Sequence, residues 1–588
     1  MTELATPAPA GQAALLELSG GEALARMLHA HQAGPIFGMG GFQLLPFYAA
    51  IHDAGLEHHL VNDERCGAFM ADAYARVTGR VGICDGTLGP GATNLVTALV
   101  EAKNAGIPLI ALVGDTDRQH SGKGMTQEAR QQLLLEPACK AFLRIEVGTR
   151  IPELVRRAYS IATSARPGPV VLDVPEDICH GIWQFDPREF RTDPGGGITP
   201  RWRSRPDPQG IADAGELLLT ARRPLILAGG GIHLSQAHPA LEQFASEFGI
   251  PVAHTMSGKG AIACTHPLSV GVFGRYSRIA NDLIGSSDCL LAVGTKLGEI
   301  ATQRFALIPA DVPLIHIDIS PDDIGLSAPV AVGLVGDAAL ALDDLHTQLA
   351  PHRSQIRGQL TGYGVEVQDR AARWLTDVTP RLTADDRPTS VARLMHELNR
   401  VMPAESVLVT DGGFASHWGG LLYDCKAAGR GFVADRGFAS IGYGLPGGIG
   451  ARLGAPDTAP VVALTGDGGL NMTLGELETA VRVGRPLTLV VINNAASGYV
   501  KALQHDMLDG RYQSSDLTLL DYAAIAREVG WEAVRVDDPE SLTSALEAAV
   551  LAPSKPTLLD VRVTRDPSKM LPGVDPRVLK RRAPGPAR

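Results

Sequence analysis

Short runs of apolar, often β-branched residues alternate with amphipathic segments along nearly the whole chain, and this alternation limits the fold more than any other feature. In the first third the runs lie at 35–39, 81–86, 108–115 and 169–175. Such runs are typical of strands that are buried on both faces of a parallel sheet. Between them, apolar residues recur at helical spacing, as at 92–99. The pattern predicts an α/β fold built from doubly wound parallel sheets.

The pattern occurs three times, which predicts three α/β domains within the 588 residues. The second set of runs lies at 224–232, 251–255, 289–296 and 314–320, and the third at 406–413, 460–469, 487–494 and 556–563. A stretch rich in Pro, Gly and charge separates the first two sets, as a linker does. The predicted organisation is a leader (1–14), an N-terminal domain (15–185), a linker (186–207), a central domain (208–350), a connector (351–384), a C-terminal domain (385–567) and a basic, Pro-rich tail (568–588).

Charge and composition exclude several classes of function. The formal net charge is −11, whereas a nucleic-acid-binding surface needs a basic face. The basic run Lys580–Arg582 is interpreted as a solvated end. The N-terminus does not resemble a signal peptide, and no apolar run reaches the length of a membrane span. The seven cysteines are scattered without a CxxC pair, which favours buried, reduced thiols in a cytoplasmic protein.

Residues 466–494 carry the most informative motif. A Gly-Asp-Gly-Gly turn follows a predicted strand, a helix follows the turn, and the next strand ends in Asn493-Asn494. Both strands of a βαβ unit end at the same edge of the sheet, so we expect Asp467 and Asn494 to converge. Carboxylate and amide oxygens suit Mg²⁺ or Ca²⁺, and the N–H groups of Gly468 and Gly469 suit phosphate. The motif therefore predicts a cradle for a metal ion and a diphosphate.

This stretch resembles the signature of thiamine diphosphate enzymes of the acetolactate synthase and 2-oxoacid decarboxylase family. Further resemblances to the family occur in order along the chain, at 36–48, 63–79, 86–99 and 436–454. The resemblance covers roughly residues 15–570. It implies an enzyme that breaks or makes a carbon–carbon bond next to a carbonyl, acting on a 2-oxo acid or a related small molecule.

The resemblance also implies roles for individual residues. Glu64 matches the glutamate that hydrogen-bonds the aminopyrimidine ring of the cofactor and so promotes its activation. Ile441 matches the bulky residue that holds the cofactor in its bent form. Gln127, in the segment 124–131, matches a glutamine that lines the cofactor pocket.

For the diphosphate end, the resemblance implies that Asp467, Asn494 and the main-chain carbonyl of Ala496 bind Mg²⁺. The turn that begins at Gly466 and includes Gly468 and Gly469 then contacts the cofactor. In this family, the glutamate and the diphosphate cradle of one active site come from different subunits. The resemblance therefore implies a homodimer or homotetramer with active sites at the subunit interface.

Several positions depart from acetolactate synthase. Tyr499 and Leu503 stand where that enzyme has a methionine and a tryptophan, and Thr126 replaces a phenylalanine. The segment GTKLGE at 294–299 replaces a Gly-Ala-Arg-Phe-Asp-Asp-Arg motif, which removes an arginine expected at the substrate. These side chains shape the acceptor pocket, so the substrate is not defined by the resemblance.

The sequence does not determine whether the chain binds a second ligand or whether a histidine takes part in catalysis. Gly229, Gly230 and Gly231 follow a predicted strand, and Asp337 lies further along, so the central domain is a candidate site for FAD or ADP; a simple tight turn is the alternative. Positions 40 and 41, where related decarboxylases often have a histidine, are both Gly. His120 and His417 are better candidates for the pocket than His29 and His31, although a structural role is the simpler interpretation of each.

Three functions are compatible with these residues. The first is a carboligase that decarboxylates a 2-oxo acid and joins the product to a second carbonyl. The second is a 2-oxo acid decarboxylase or a 2-hydroxyacyl-CoA lyase, in which a proton takes the place of the acceptor. The third is a cofactor-binding regulatory subunit without turnover, which the presence of Glu64 together with the 466–494 motif argues against.

Overall fold

The computed structural model describes residues 14–193 and 195–573. Most of the leader and the Lys580–Arg582 run lie outside the described residues. Three six-stranded sheets follow one another along the chain, and all the strand pairs within them are parallel. The predicted α/β fold of three parallel-sheet domains is therefore confirmed. No helix in the described part of the chain is long and apolar enough to cross a membrane.

The N-terminal sheet has the strand order β3-β2-β4-β5-β7-β6, and β1 and β8 form a separate antiparallel pair. The strands are β1 (Leu16–Ser19), β2 (Ile36–Met39), β3 (His58–Leu60), β4 (Gly82–Gly86), β5 (Leu109–Asp115), β6 (Ala141–Arg144), β7 (Pro169–Pro175) and β8 (Ile182–Phe185). The α-helices are α1 (Gly20–Ala30), α2 (Leu45–Asp53), α3 (Glu64–Thr78), α4 (Pro90–Asn94), α5 (Val96–Ala105), α6 (Gln131–Leu135), α7 (Ile151–Thr163) and α8 (Glu176–His180).

The central sheet has the order β11-β10-β9-β12-β13-β14. Its strands are β9 (Pro224–Ala228), β10 (Val252–His254), β11 (Ser269–Val272), β12 (Cys289–Val293), β13 (Leu314–Asp318) and β14 (Val332–Val335). Its helices are α9 (Pro208–Thr220), α10 (Gly231–Ser235), α11 (His238–Phe248), α12 (Ala280–Gly285) and α13 (Ala338–Leu349). The predicted connector is largely one helix, α14 (Arg353–Leu382).

The C-terminal sheet has the order β16-β15-β17-β18-β20-β19. Its strands are β15 (Val407–Thr410), β16 (Phe432–Ala434), β17 (Val461–Gly466), β18 (Thr488–Asn493), β19 (Glu532–Val536) and β20 (Thr557–Arg562). Its helices are α15 (Val391–Val401), α16 (Phe414–Leu422), α17 (Gly444–Gly454), α18 (Asp467–Asn471), α19 (Glu476–Val483), α20 (Gly498–Met507), α21 (Tyr522–Val529) and α22 (Pro539–Leu551).

The first and third sheets have the same topology, because the order of their strands along the chain and across the sheet is identical. One continuous core joins these two domains: Phe69 and Tyr74 of α3 lie in the same apolar cluster as Tyr443 and Leu445 next to α17. The central sheet has a separate core. The seven cysteines are free thiols, and all but the half-buried Cys264 are buried, as predicted.

Candidate functional site

The turn after β17 and the turn after β18 lie side by side at one edge of the C-terminal sheet. The two strands are paired in parallel up to Gly466 and Ile492, so Asp467 and Asn494 follow at neighbouring strand ends. Asp467 is 3% exposed and Asn494 is 4% exposed. The structure thus brings together the two side chains that the motif predicts to converge.

The Asp467 carboxylate is buried and incompletely satisfied. One oxygen, Oδ1, accepts a hydrogen bond from Gly468 N at 2.8 Å, whereas Oδ2 is buried without a hydrogen-bond partner in the described part of the chain. Burial raises the pKa of Asp467 to about 6, although N–H groups of Gly468 and of residues 494–496 oppose this shift. An unsatisfied buried carboxylate oxygen of this kind suits a divalent cation.

The turn after β18 offers two further oxygens. Ala495 has a left-handed backbone, with φ of 49°, and its carbonyl accepts a hydrogen bond from Leu517 N at 2.8 Å. This conformation leaves the next carbonyl, that of Ala496, outside the hydrogen bonds that close the turn. The Asn494 Oδ1 atom accepts a hydrogen bond from Ala496 N at 3.2 Å, a weak bond that a cation can replace. Carboxylate, amide and carbonyl oxygens together form a donor set that fits Mg²⁺.

Asp411, which the sequence analysis did not identify, packs against this turn. Its Oδ2 atom accepts a hydrogen bond from Thr465 Oγ1 at 2.5 Å, and Oδ1 accepts one from Gly442 N at 2.8 Å. Gly469 has no space for a side chain, since a Cβ there would lie 2.2 Å from Asp411 Oδ2. An acidic residue directly after β15, followed by two glycines, is the sequence signal that could have identified this strand end as functional.

Ile441 lies on a loop that two buried carboxylates hold in place. Glu101, from α5 of the N-terminal domain, accepts hydrogen bonds from Gly437 N at 2.8 Å and Ala439 N at 3.2 Å. Asp411 accepts bonds from the N–H groups that follow Ile441. The Ile441 side chain is nevertheless 44% exposed in a single chain. The loop thus holds a large aliphatic side chain in an exposed position, where a group that is not part of the chain's own core can contact it.

Glu64 is the first residue of α3, which Asp63 caps. It is 5% exposed, and its Oε2 atom accepts a hydrogen bond from Asn94 Nδ2 at 2.9 Å. The backbone of Gly91 passes so close that a Cβ there would lie 3.0 Å from Glu64 Oε1. Asn94 is a second residue that the sequence analysis missed, because a polar residue at the end of a short helix gives no signal of its own.

Within the described residues of one chain, Glu64 and Asp467 belong to separate sets of hydrogen bonds. No hydrogen bond or ion pair among the described residues joins Glu64 to Asp467, Asn494 or Ile441. The start of α3 instead contacts another part of the C-terminal domain, through a hydrogen bond from Asn62 N to Glu476 Oε1 at 3.0 Å.

Gln127 lies next to the turn that holds Glu64, but its side chain is exposed. Its φ is 64°, and its carbonyl oxygen lies only 2.1 Å from where a Cβ on Gly89 would stand. His120, on the same loop, is 49% exposed and contacts Asp117 Oδ2 at 3.0 Å. The backbone of Gln127, and not its side chain, therefore lies near the turn that holds Glu64. His120 lies on the surface.

His417 belongs to a cluster of polar aromatic side chains between the central and C-terminal domains. It is 3% exposed, and its ring lies 5.1 Å from that of Tyr276 and 5.8 Å from that of Tyr499. Tyr499 lies in the first turn of α20, directly after the Asn494–Ala496 turn. Its hydroxyl accepts a hydrogen bond from Arg275 Nη1 at 3.0 Å. Thus Tyr499, one of the departures from acetolactate synthase, links the central domain to the cradle, and Leu503 follows half-buried on the same helix.

The central domain contains a cavity of about 420 Å³ beside the predicted glycine turn. Close packing explains Gly229 and Gly231, because a Cβ on either would lie within 2.6 Å of the backbone of Gly294. Asp337 lines the cavity, but its carboxylate is occupied by Arg203 Nη1 at 2.7 Å and Ser235 Oγ at 2.9 Å. Asp337 is thus a poor ribose ligand.

Asp318, at the carboxyl end of β13, also lines the cavity. Burial raises its pKa, while a hydrogen bond from Ser320 N to Oδ1 at 2.9 Å acts in the opposite direction. It is the better placed acid for a ligand that enters from the strand ends.

Comparison with known proteins identifies all three domains. The family descriptions that match are "Thiamine pyrophosphate enzyme, N-terminal TPP binding domain" at 18–134, "central domain" at 211–345 and "C-terminal TPP binding domain" at 411–561. The chain is 32% identical to a probable acetolactate synthase large subunit of Methanococcus aeolicus, over 95% of this chain and 94% of that protein. It is 32% identical to the acetolactate synthase large subunit of Parasynechococcus marenigrum, over 93% of this chain and 88% of that protein. The chain therefore belongs to the thiamine diphosphate-dependent enzymes of the acetolactate synthase type.

Proposed function

We propose that this enzyme uses thiamine diphosphate and Mg²⁺ to decarboxylate a 2-oxo acid and to join the remaining carbon unit to a second carbonyl compound. The observation that carries the proposal is the buried, unsatisfied Oδ2 atom of Asp467 beside the turn of Asn494. The acetolactate synthases among its relatives support the reaction class.

In this proposal the C-terminal domain holds the diphosphate end of the cofactor. Asp467, Asn494 and the carbonyl of Ala496 would bind Mg²⁺, which would neutralise negative charge on the diphosphate of the cofactor. The backbone of Gly466, Gly468 and Gly469 lies against the diphosphate. Because these glycines follow a strand and begin a short helix, their N–H groups are directed toward an anion at the sheet edge.

The remaining residues orient and activate the cofactor. When bound, thiamine diphosphate supplies a carbon nucleophile and an electron sink for the bond that breaks. Glu64 holds a proton at the aminopyrimidine ring, and Asn94 fixes the direction of the Glu64 carboxyl group. Ile441 packs beneath the bent cofactor, on a loop whose position Glu101 and Asp411 determine. Gln127 borders the pocket next to the Glu64 turn.

We also propose that each active site forms between two copies of the chain, as a homodimer or as part of a homotetramer. Among the described residues of one chain no hydrogen bond or ion pair joins Glu64 to Asp467, although both are needed for one cofactor. Ile441, Met472 and Phe438 are 44%, 43% and 54% exposed, which is unusual for apolar side chains near a binding site. A partner subunit that brings its own Glu64 to this surface would cover them.

A nucleotide such as FAD or ADP in the central cavity is a further part of the proposal. The support is the cavity of about 420 Å³ at the carboxyl ends of β9, β12 and β13, with Asp318 at its edge. A cavity of this size at strand ends is typical of nucleotide sites in α/β domains.

A second candidate function is cleavage without carboligation, by a 2-oxo acid decarboxylase or a 2-hydroxyacyl-CoA lyase. Tyr499 and its hydrogen bond to Arg275 favour it, because they place polar groups where acetolactate synthase has a methionine. A regulatory subunit without turnover is disfavoured, since Glu64 with Asn94 and Asp467 with Asn494 are both retained.

The test is CO₂ release from a panel of 2-oxo acids by the protein supplied with thiamine diphosphate and Mg²⁺, followed by identification of the products. A hydroxyketone longer than the donor would establish carboligation, whereas an aldehyde would establish simple decarboxylation. If no 2-oxo acid releases CO₂, the same assay with 2-hydroxyacyl thioesters tests the lyase alternative. Failure to bind the cofactor would contradict the proposal as a whole.

A further inference from the structure

We infer that Arg436 recognises the anionic group of the carbonyl substrate and makes the enzyme prefer carboxylates to neutral carbonyl compounds. This inference rests on the proposed function. Arg436 follows β16 and lies five positions before Ile441, on the loop that Glu101 and Asp411 hold. It lines the central cavity together with Glu299 and Ile300, which come from the opposite domain.

The guanidinium group of Arg436 forms no hydrogen bond or ion pair with another residue in the described part of the chain. Its Nη1 atom is buried and has no hydrogen-bond partner, and none of the ion pairs formed by the described residues includes Arg436. Burial lowers its pKa, as expected when water is removed from a cation. Buried charges in proteins are normally paired, so an unpaired one that borders a cavity indicates an anionic ligand.

None of the acids near Arg436 forms an ion pair with it among the described residues. Glu101 Oε1 pairs with Arg76 Nη2 at 2.7 Å and accepts a hydrogen bond from Gly437 N, while Oε2 accepts hydrogen bonds from Phe438 N and Ala439 N. Glu299 pairs with Arg275 Nη2 at 3.1 Å. Asp435 and Glu101 act electrostatically on Arg436, but no hydrogen bond or ion pair among the described residues joins either of them to it, and burial together with Glu101 raises the pKa of Asp435.

The position of Arg436 suits the substrate. Arg275 and Glu299 lie close enough to act electrostatically on Arg436, and Arg275 donates to the hydroxyl of Tyr499, three residues after Ala496. Arg436, on the loop of Ile441, therefore lies within electrostatic range of Arg275, whose hydrogen-bond partner Tyr499 lies at the start of the helix that follows the proposed metal turn. A guanidinium group binds a carboxylate through two parallel hydrogen bonds, which would fix the orientation of the adjacent carbonyl.

A phosphate of a nucleotide in the same cavity has related chemistry and is the alternative source of the anion. We assign Arg436 to the substrate because it belongs to the C-terminal domain and to the loop of Ile441. The glycine turns and Asp318 lie on the central domain instead.

The experiment compares pyruvate with methyl pyruvate, which is its uncharged ester. The ratio of kcat/KM for the two compounds is measured for the holoenzyme and for Arg436→Met, Arg436→Lys and the control Arg304→Met. Arg304 is 61% exposed and lies 3.5 Å from Glu299, so its loss removes the same charge nearby without affecting the cavity wall. If neither compound is turned over, the ratio of their dissociation constants is measured by isothermal titration of the same holoenzymes.

Arg436→Met should lower the preference for pyruvate about 10–100-fold, mainly through KM, as expected when a charge-assisted hydrogen bond is lost. Arg436→Lys should keep part of the preference, and Arg304→Met should keep all of it. An unchanged ratio in an Arg436→Met protein that still binds thiamine diphosphate would overturn the inference. So would a selective loss of ADP affinity, because Arg436 would then serve a nucleotide. If the wild-type protein does not bind thiamine diphosphate, the proposed function fails instead.

Discussion

The Asp411 carboxylate occupies the space that a side chain on Gly469 would need, since a Cβ there would lie 2.2 Å from Asp411 Oδ2. The same carboxylate holds the backbone of Gly442, next to Ile441, through a bond of 2.8 Å. Gly469, in the proposed metal turn, and the loop of Ile441 are therefore coupled through one buried acid.

This coupling predicts that Gly469→Ala will damage both parts of the site. The new methyl group must displace Asp411, so we expect at least a tenfold loss of thiamine diphosphate affinity and a fall of about 1–3 kcal/mol in stability, as for overpacking elsewhere. Gly358→Ala is the control, because Gly358 lies in the connector helix α14 and no atom lies within 4 Å of its Cβ position. The two variants are compared by cofactor titration and thermal unfolding, and equal behaviour would contradict the coupling.

Glu64→Gln should separate cofactor binding from cofactor activation. Glutamine keeps the size of the side chain and can still bond Asn94, but it cannot exchange a proton with the aminopyrimidine ring. We expect cofactor affinity to change by less than about tenfold, while exchange of the thiazolium C2 proton falls by about 10²-fold or more. Rapid-quench hydrogen exchange followed by NMR measures this rate, and normal exchange in the variant would exclude the assigned role.

Asp467→Asn should remove the dependence of cofactor retention on Mg²⁺. The wild-type protein should lose thiamine diphosphate on dialysis against a chelator and regain it with Mg²⁺, because in the proposed site the cation would hold the diphosphate next to the carboxylate. The variant should retain little cofactor in either condition. Asp457→Asn serves as the control, since this carboxylate is 79% exposed and pairs with Arg485. Retention by Asp467→Asn that still responds to Mg²⁺ would disprove the metal assignment.

The sequence was sufficient to predict the fold class, because the central strands are long, apolar and buried on both faces. It did not reveal edge strands such as β3 (His58–Leu60) and β19 (Glu532–Val536), which are partly exposed and polar. At the site, the convergence of Asp467 and Asn494 followed from the geometry of neighbouring parallel strands. Contacts between distant segments were not predictable: Glu101 lies on a helix with no local sign that it binds a loop more than three hundred residues later.

The glycines of the central domain show another feature whose role the sequence alone does not determine. Gly229–Gly231 are compatible both with a phosphate loop and with a tight turn. Only the structure shows that the backbone of Gly294 packs against two of them. Asp337 similarly follows a strand, at a position where ligand-binding acids often occur. Its carboxylate instead caps α13 and pairs with Arg203.

His31 should make the N-terminal domain sensitive to acid. Its ring stacks on Tyr159 at 3.8 Å, and burial, together with the charges of Arg201 and Arg156, lowers its pKa to about 4. In the unfolded chain the pKa is about 6.5, so as the pH falls the unfolded state binds a proton before the folded state does. The contribution of neutral His31 to the free energy of unfolding is therefore intact above pH 6.5 and is lost as the pH falls toward 4, by up to about 3 kcal/mol.

His31→Phe preserves the stacked ring without a titratable group and should unfold at a temperature that depends less on pH between 7.5 and 5. His52→Phe, at a site where the side chain is 89% exposed, should keep the pH dependence of the wild type. Equal pH dependence in the His31 variant and the wild-type protein would show that other groups control the acid sensitivity.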